Sequence, residues 1–334
     1  MSKVMVDVVF HLLTSKKENV SPEYIEYRRK WNENPKNFIV GDFPIHIDIE
    51  NNTTCNLKCF MCFQAYSKPD PVMIDMKDFR QCIDEGVAKG LCSIKMQYRG
   101  EPLLDPLLEE KVKYAKDHGI LEVMMNSNAT LLTEARSRKL IKAGLDKIIC
   151  SVDGCTKEVY ESVRIGASFE KVLQNIKRLQ EIKKEVGSQK PIVRVQMVET
   201  PRNYFQKEEY LNFWQKIADQ VATEDMLDWS GSSDDATPLP EFACQQLWQR
   251  LVVLADGDVV PCCRAVKAGR EKLGVVGNIH KDSLENIWKG KLLETYRTLH
   301  KNGESHKIPM CTACDHRKRM ITKGEPLVCG VKTN

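Results

Sequence analysis

The chain has 334 residues, 29% of them charged and 42% hydrophobic, and a net charge of +4 at neutral pH. That length suits one large domain plus a smaller one, and no run of about 18 apolar residues exists to make a membrane span. The basic stretches, such as Lys177–Lys190, interleave Lys and Arg with Glu and Gln, which is the texture of a solvated helix surface and not of a nucleic-acid footprint.

Residues 1–44 read as an N-terminal helical extension. Its first twenty residues hold an apolar stretch interrupted by Asp7 and His11, with no basic start and no small-residue cleavage site. This pattern predicts a short amphipathic helix, not a signal peptide. From residue 45 strand and helix patterns alternate. Strands are predicted at Ile45–Glu50, Ile94–Arg99, Glu122–Ser127, Lys147–Val152, Ile192–Glu199 and Met226–Gly231. Helices are predicted at Lys77–Lys89 behind Asp75 as N-cap, at Leu107–Asp117, and between Thr133 and Gly144. Two more cover Ser168–Val186 and Lys207–Ala222. Six β/α units imply a parallel sheet with helices outside it. The expected fold is therefore α/β: a partial (β/α)6 TIM-like barrel over residues 45–231, with its chemistry in the loops at the C-terminal strand ends. After the Ser/Asp/Pro-rich linker the repeat stops, and residues 232–334 form a small C-terminal cysteine-rich domain.

Thirteen cysteines are present, an odd number. In a chain of cytoplasmic character this argues for metal or redox chemistry over a disulfide framework. Cys82, Cys92 and Cys150 lie in apolar-periodic segments and are expected to be small buried hydrophobes. Cys55, Cys59 and Cys62 crowd one loop, just after the first strand. Three thiolates can hold three irons of a [4Fe–4S] cube and leave the fourth open to a ligand. A zinc site completed by a remote residue, or chance clustering, would leave the same spacing. The C-terminal module carries Cys244, Cys262, Cys263, Cys311, Cys314 and Cys329. It is too irregular to rest on an apolar core alone, so a metal centre would stabilise it.

The run CNLKCFMC (Cys55–Cys62), with Met61 before its last cysteine, resembles the signature of radical S-adenosylmethionine (radical SAM) enzymes. The resemblance covers Ile45 to Gly231. It implies a [4Fe–4S] cluster on Cys55, Cys59 and Cys62 whose open iron binds SAM, an electron from a flavodoxin- or ferredoxin-type donor, and a 5′-deoxyadenosyl radical that abstracts hydrogen from substrate. Residue by residue, YRGEPLL resembles the family's G-G-E motif, with Arg99 for the first Gly. Gly100 would then let the backbone approach SAM, and Glu101 would accept from its amino group. NSNATLLT resembles the family's T-N-G-x-x-L segment and would place Asn126 on SAM, CSVDG offers Ser151 and Asp153 at the pocket mouth, and Arg164 would pair with the SAM carboxylate.

Cys244, twelve residues, Gly257, four residues and Cys262 resemble the opening of the SPASM/twitch extension found in part of that superfamily. Cys311 and Cys314 follow. The full SPASM cysteine run is absent, since Met320 stands six past Cys314. This leaves Cys244, Cys262, Cys311 and Cys314 for one auxiliary [4Fe–4S] cluster, with a zinc ribbon as the other reading. Cys263 and Cys329 are candidate hydrogen-atom donors. The short N-terminal extension lacks the pattern of a leader-peptide-binding domain. The expectation is thus a small soluble substrate, a sugar or aminocyclitol, for a dehydrogenase or epimerase, with no nucleic acid or membrane partner. Alternatives are a peptide-modifying maturase and a non-catalytic iron–sulfur or zinc protein. Asp153 and Gln196 are candidate substrate contacts. Gln196 is preferred to Glu199, because an odd separation puts the two on opposite faces of a strand.

Overall fold

The computed structural model describes residues 21–229, 235–240, 242–267, 269–270, 272–315, 317–318 and 330–332. The helix expected within the first twenty residues lies outside that set, and so does Cys329. The chain begins with α1 (Pro22–Lys36), capped by the Ser21 hydroxyl. The β/α units follow: β1 (His46–Ile49), α2 (Met76–Ala88), β2 (Ser93–Lys95), α3 (Leu108–Asp117), β3 (Glu122–Ser127), α4 (Glu134–Ala143) and β4 (Lys147–Ser151). Then come α5 (Lys157–Val163), α6 (Phe169–Glu185), β5 (Ile192–Glu199), α7 (Lys207–Trp214) and β6 (Gln220–Asp225). Local signals explain the boundaries. Asp75 caps α2 by accepting from the Asp78 N–H, Thr133 caps α4, and Gly144 closes α4 in the left-handed region at φ 89°. Phe169, Val172, Ile176, Leu179 and Ile182 recur at helical spacing and bury one face of α6.

The six strands are parallel and pair in sequence order, an open (β/α)6 barrel as expected. Side-chain parity separates its two faces. Ile47, Ile49, Ile94, Val123, Met125, Ile148, Val193 and Val195 are fully buried beneath the helices. The alternating residues, including Asp48, Lys95, Asn126, Ser151, Arg194 and Gln196, face the lumen and make it polar. Helix α1 closes the lumen at the N-terminal strand ends. Tyr24 Oη donates to Glu122 (3.1 Å), Tyr27 meets Ser93 (2.8 Å), and Gln249 donates to the Trp31 carbonyl (2.7 Å).

Two sequence expectations need correction. The sixth strand is Gln220–Asp225; of the expected Met226–Gly231, residues 226–229 form no strand and the rest lie outside the described residues, and the helix expected over Lys207–Ala222 stops at Trp214. Asp219 holds the intervening turn, accepting from the Val193 N–H (2.8 Å) and from Lys183 (2.6 Å). The period-two signal that follows, with Gln220 and Ala222 buried about Val221, is too short to stand out from helical spacing. Among the isolated cysteines, Cys82 and Cys150 are core residues, but Cys92 is half-buried and its thiol donates to the Gly90 carbonyl.

The sheet does not end with the barrel. After β7 (Phe242–Cys244), strand β8 (Arg250–Val253) pairs in parallel with the free edge of β1, His46 opposite Arg250 and Ile49 opposite Val253. Strands β9 (Asp258–Val260) and β10 (Gly277–Asn278) extend it antiparallel. Gly257, the glycine of the spaced cysteine pattern, turns the β8–β9 hairpin at φ +83°, and a Cβ there would lie 2.7 Å from the His280 ring. Helices α8 (Leu284–Lys289), α9 (Lys291–Lys301) and α10 (Pro309–Thr312) follow, and β11 (Gly330–Lys332) pairs with β7. No described helix is long and apolar enough to cross a membrane.

Candidate active site

The three-cysteine loop leaves the C-terminal end of β1 and is tied down on three sides. Glu101 N–H donates to the Thr54 carbonyl (2.8 Å), and Asn52 Nδ2 donates to the Glu101 carbonyl (2.9 Å). Asn56 Nδ2 reaches the Thr130 hydroxyl (2.8 Å), and Lys58 N–H the Ile165 carbonyl (3.0 Å). Leu57, Cys59, Met61 and Val163 form a small apolar cluster beneath the loop. Burial drives the Cys55 thiol up to about 11, with Glu101, Cys59 and Cys62 adding to the rise. Cys59 is raised by burial too, against the pull of Arg164. Thiols that oppose one another's ionisation in a dry loop become good ligands when a multiply charged cation joins them, so this donor set fits a cationic iron–sulfur group. No three His, Cys, Asp or Glu side chains among the described residues are arranged around a single ion. A cube needs no such convergence, since each iron takes its own thiolate.

Gly100 packs against the loop: an added Cβ would sit 2.2 Å from the Asn52 carbonyl oxygen and 2.7 Å from that of Thr54. Arg99, which departs from the family pattern, makes a bidentate pair with the fully buried Glu50 (Nε–Oε1 and Nη2–Oε2, both 2.6 Å). Glu101 is buried. Its Oε1 accepts from Ser127 Oγ (2.7 Å) and Leu103 N–H (3.0 Å), and its Oε2 from Asn128 N–H (2.8 Å). Burial raises its pKa in spite of these donors.

Arg164 lies beside Cys59, with Nη1 3.8 Å from its sulfur and Nε 2.5 Å from Asp153. Asp153 is fully buried, and its other oxygen accepts from Val198 N–H (2.7 Å). Its carboxylate is thus committed to orienting Arg164 and the end of β5, away from the mouth where a substrate contact was expected. Ser151 and Gln196 are register partners on β4 and β5 and share one row of the lumen. Glu199 has the opposite parity and pairs with Lys207 (2.6 Å).

In the β3 segment it is Asn128, not Asn126, that reaches the cysteine loop. Its Nδ2 lies 2.9 Å from Asn56 Oδ1 and 3.8 Å from Cys55 Sγ. Ala129 next to it has φ +58°, a conformation that glycine adopts freely, so its place is that of the glycine in T-N-G. Aligning on that glycine would have pointed to Asn128. Asn126 faces the lumen, and its Oδ1 is buried without a hydrogen-bond partner.

The four downstream candidates come together. Cys244, Cys262, Cys311 and Cys314 line one pocket with Phe242, Leu247 and Met310. Burial raises Cys262 and Cys311, and neighbouring thiols add to each rise. His300, which carried no signal in the sequence, bridges two of the four. Cys244 N–H donates to its Nδ1 (3.2 Å), and its Nε2 lies 3.4 Å from Cys311 Sγ. Burial, with Arg317 adding, drives its pKa down to about 3, so the ring is neutral. With Nδ1 accepting, the proton sits on Nε2 and points at the sulfur. Cys263 is half-buried at the seam between barrel and module, its N–H donating to Gln246 and its carbonyl accepting from Tyr98.

Comparison with known proteins agrees with this geometry. The family model described as the radical SAM superfamily matches residues 52–196, and the SPASM model, an iron–sulfur cluster-binding domain, matches residues 244–315. A tungsten-containing aldehyde ferredoxin oxidoreductase cofactor-modifying protein from Pyrococcus furiosus is 27% identical over 318 residues, spanning 81% of this chain and 87% of the relative. The mycofactocin maturase MftC of Mycobacterium tuberculosis is 24% identical, spanning 82% and 76%. Among solved structures, Streptococcus suis SuiB bound to precursor peptide SuiA has a TM-score of 0.63 at 17% identity, covering 92% of this chain and 81% of that one. BtrN in complex with AdoMet and 2-DOIA has a TM-score of 0.55 at 20% identity, covering 83% and 94%. At these identities the solved structures establish the fold. The family matches establish the cofactors: SAM, the [4Fe–4S] cluster that binds it, and an auxiliary [4Fe–4S] centre.

Proposed function

Because the chain belongs to the radical SAM superfamily and carries a SPASM iron–sulfur domain, we propose that it is a maturase, modifying a peptide or a macromolecule-borne group by hydrogen abstraction. The observation that carries this reading is near full-length similarity to two proteins named for modification or maturation. The mouth of the barrel supports it. Tyr66, Ile165, Tyr204, Phe205 and Met226, from the connections that follow β1, β4, β5 and β6, expose large apolar surfaces, as an extended partner would use. A sugar or aminocyclitol dehydrogenase or epimerase is the second reading; BtrN, whose fold the chain shares, was solved in complex with AdoMet and 2-DOIA. Twelve described cysteines are free thiols, which suits a reducing, cytoplasmic setting and a flavodoxin- or ferredoxin-type donor.

When bound, SAM on the open iron supplies a 5′-deoxyadenosyl radical, and the fully ligated auxiliary cluster supplies an electron acceptor. Cys55, Cys59 and Cys62 would hold the first cluster, and Cys244, Cys262, Cys311 and Cys314 the second. Glu101 has three of about four lone-pair positions filled by Ser127, Leu103 and Asn128, which leaves one for the SAM amino group. Arg164, aimed by Asp153, sets a positive charge beside Cys59 and has donors left for the SAM carboxylate. Ser151 and Gln196 sit deeper in the lumen, as substrate contacts. Cys263, at the seam, is the candidate hydrogen donor within the described residues. Anaerobic reconstitution, followed by SAM and dithionite, tests the chemistry, and absence of 5′-deoxyadenosine refutes it. Incubation with candidate peptides, read by mass spectrometry, tests the substrate class. Modification of an aminocyclitol instead would favour the second reading.

A further inference from the structure

One row of the lumen lies two residues, about 7 Å, below Ser151 and Gln196. Asn126 is in register with Ile149, Ile149 with Arg194, and Arg194 with Gln220. Three polar atoms of this row are buried without a hydrogen-bond partner: Asn126 Oδ1, Arg194 Nε and Gln220 Oε1. Buried polar atoms are almost always paired in native proteins, so three orphans in one row, two of them on adjacent strands, mark a place built for something else.

The charges give its sign. The Arg194 guanidinium approaches a carboxylate only at 4.0 Å, that of Glu224, whose side chain is 40% exposed. Lys147 starts β4 one row further down. Its pKa is lowered to about 8, by burial first and by Arg194 and Arg28 with it, against the pull of Glu122. Glu122 accepts from Tyr24 of α1 through Oε1, while its Oε2 is buried without a hydrogen-bond partner and makes no ion pair with Lys147 within 4 Å. Two like charges on the buried lumen face of neighbouring strands, neither closely ion-paired, repel each other until an anion joins them.

We propose that this row, with Arg194 and Lys147 as its cations and Asn126 and Gln220 beside them, binds an oxyanion at the inner end of the substrate. A planar guanidinium suits carboxylate and phosphate alike. The inference deepens the maturase reading: the inserted part of the substrate would carry an acidic side chain, a chain terminus or a phosphate.

The test is calorimetric titration of the reconstituted holoenzyme with glutarate and, separately, with inorganic phosphate, each with and without SAM. Binding of one probe identifies the chemistry. Binding that SAM abolishes assigns the row to the carboxylate of SAM and overturns a substrate role. In Arg194→Gln and Lys147→Met, affinity should fall at least about tenfold. With no anion present, both variants should melt at or above the wild-type temperature, because a repelling buried charge is gone. A purely structural Arg194 would instead lower the melting temperature. Binding of neither probe, or equal binding by the variants, overturns the inference. The outcome is independent of turnover: anion binding with no peptide modified would count against the maturase reading alone.

Discussion

Replacing His300 by Phe keeps a ring in the auxiliary cavity and removes both of its hydrogen bonds. The structure sets the direction. The Nε2–H points at Cys311 Sγ from 3.4 Å, and a donor to a ligand sulfur favours the reduced, more negative cluster. A hydrogen bond to a charged acceptor contributes about 1.5–3 kcal/mol. If a third of that distinguishes the two redox states, about 0.5–1 kcal/mol is lost, which at 59 mV per tenfold for one electron lowers the potential by ~20–45 mV. The Cys244 N–H, its acceptor gone, adds a destabilisation of about 1–3 kcal/mol. The assay is an EPR-monitored redox titration in a background where Cys55, Cys59 and Cys62 are Ala, so that only the auxiliary cluster is loaded. An unchanged or raised potential would refute the reasoning.

Gly100→Ala forces a Cβ to within 2.2 Å of the Asn52 carbonyl. It should cost about 1–3 kcal/mol, and iron in the reconstituted protein should fall from about eight to about four per chain if the cysteine loop is displaced. Asp153→Ala leaves the Arg164 charge buried without its partner and should destabilise by about 3–5 kcal/mol in urea unfolding; a loss below about 1 kcal/mol would mean the guanidinium had found another partner. His46 is buried, and desolvation lowers its pKa from 6.5 to about 4, against the pull of Asp48. Between those values the unfolded chain binds the extra proton, so stability is full above pH 6.5 and declines by about 3 kcal/mol as pH falls towards 4. His46→Gln should flatten that slope, and equal slopes in the two proteins would count against it.

The sequence was most readable where chemistry and spacing coincide. CNLKCFMC, the β/α alternation and the four downstream cysteines each carry a local pattern, and the structure places them as a loop at a strand end, a parallel barrel and one cavity. What stayed hidden depends on partners far apart in the chain. Asp153 looked like a substrate contact because its role is set by Arg164 and by the Val198 backbone, 45 residues away. The bridge made by His300 joins residues 56 and 11 positions distant. Asn126 was read as the SAM contact, and only the course of the loop beyond β3 brings Asn128 to the cysteines instead. Beyond β5, the Asp219 turn that separates α7 from β6 draws its partners from α6 and β5.

The pairing of β8 with β1 gives the two cluster sites a common frame. Strand β1 leads into the open three-cysteine loop, and the β8–β9 hairpin leads into Cys262. Strands in register move together or not at all, so the separation of the two sites is held by the sheet and not by a flexible linker. Side chains reinforce the seam. Phe63, directly after Cys62, meets Trp229 edge to face at 6.1 Å, and Trp229 is covered by Arg264 at 5.1 Å, two residues past Cys262. On the other side Arg99 lies over both Phe63 and Tyr98, and Tyr98 donates to the Cys263 carbonyl. An electron leaving a substrate radical near the lumen would therefore find its acceptor at a distance fixed by the fold. A Trp229→Ala variant should keep both clusters and SAM cleavage, but it should slow product formation relative to 5′-deoxyadenosine release. Unchanged coupling between the two would show that the sheet alone holds the spacing.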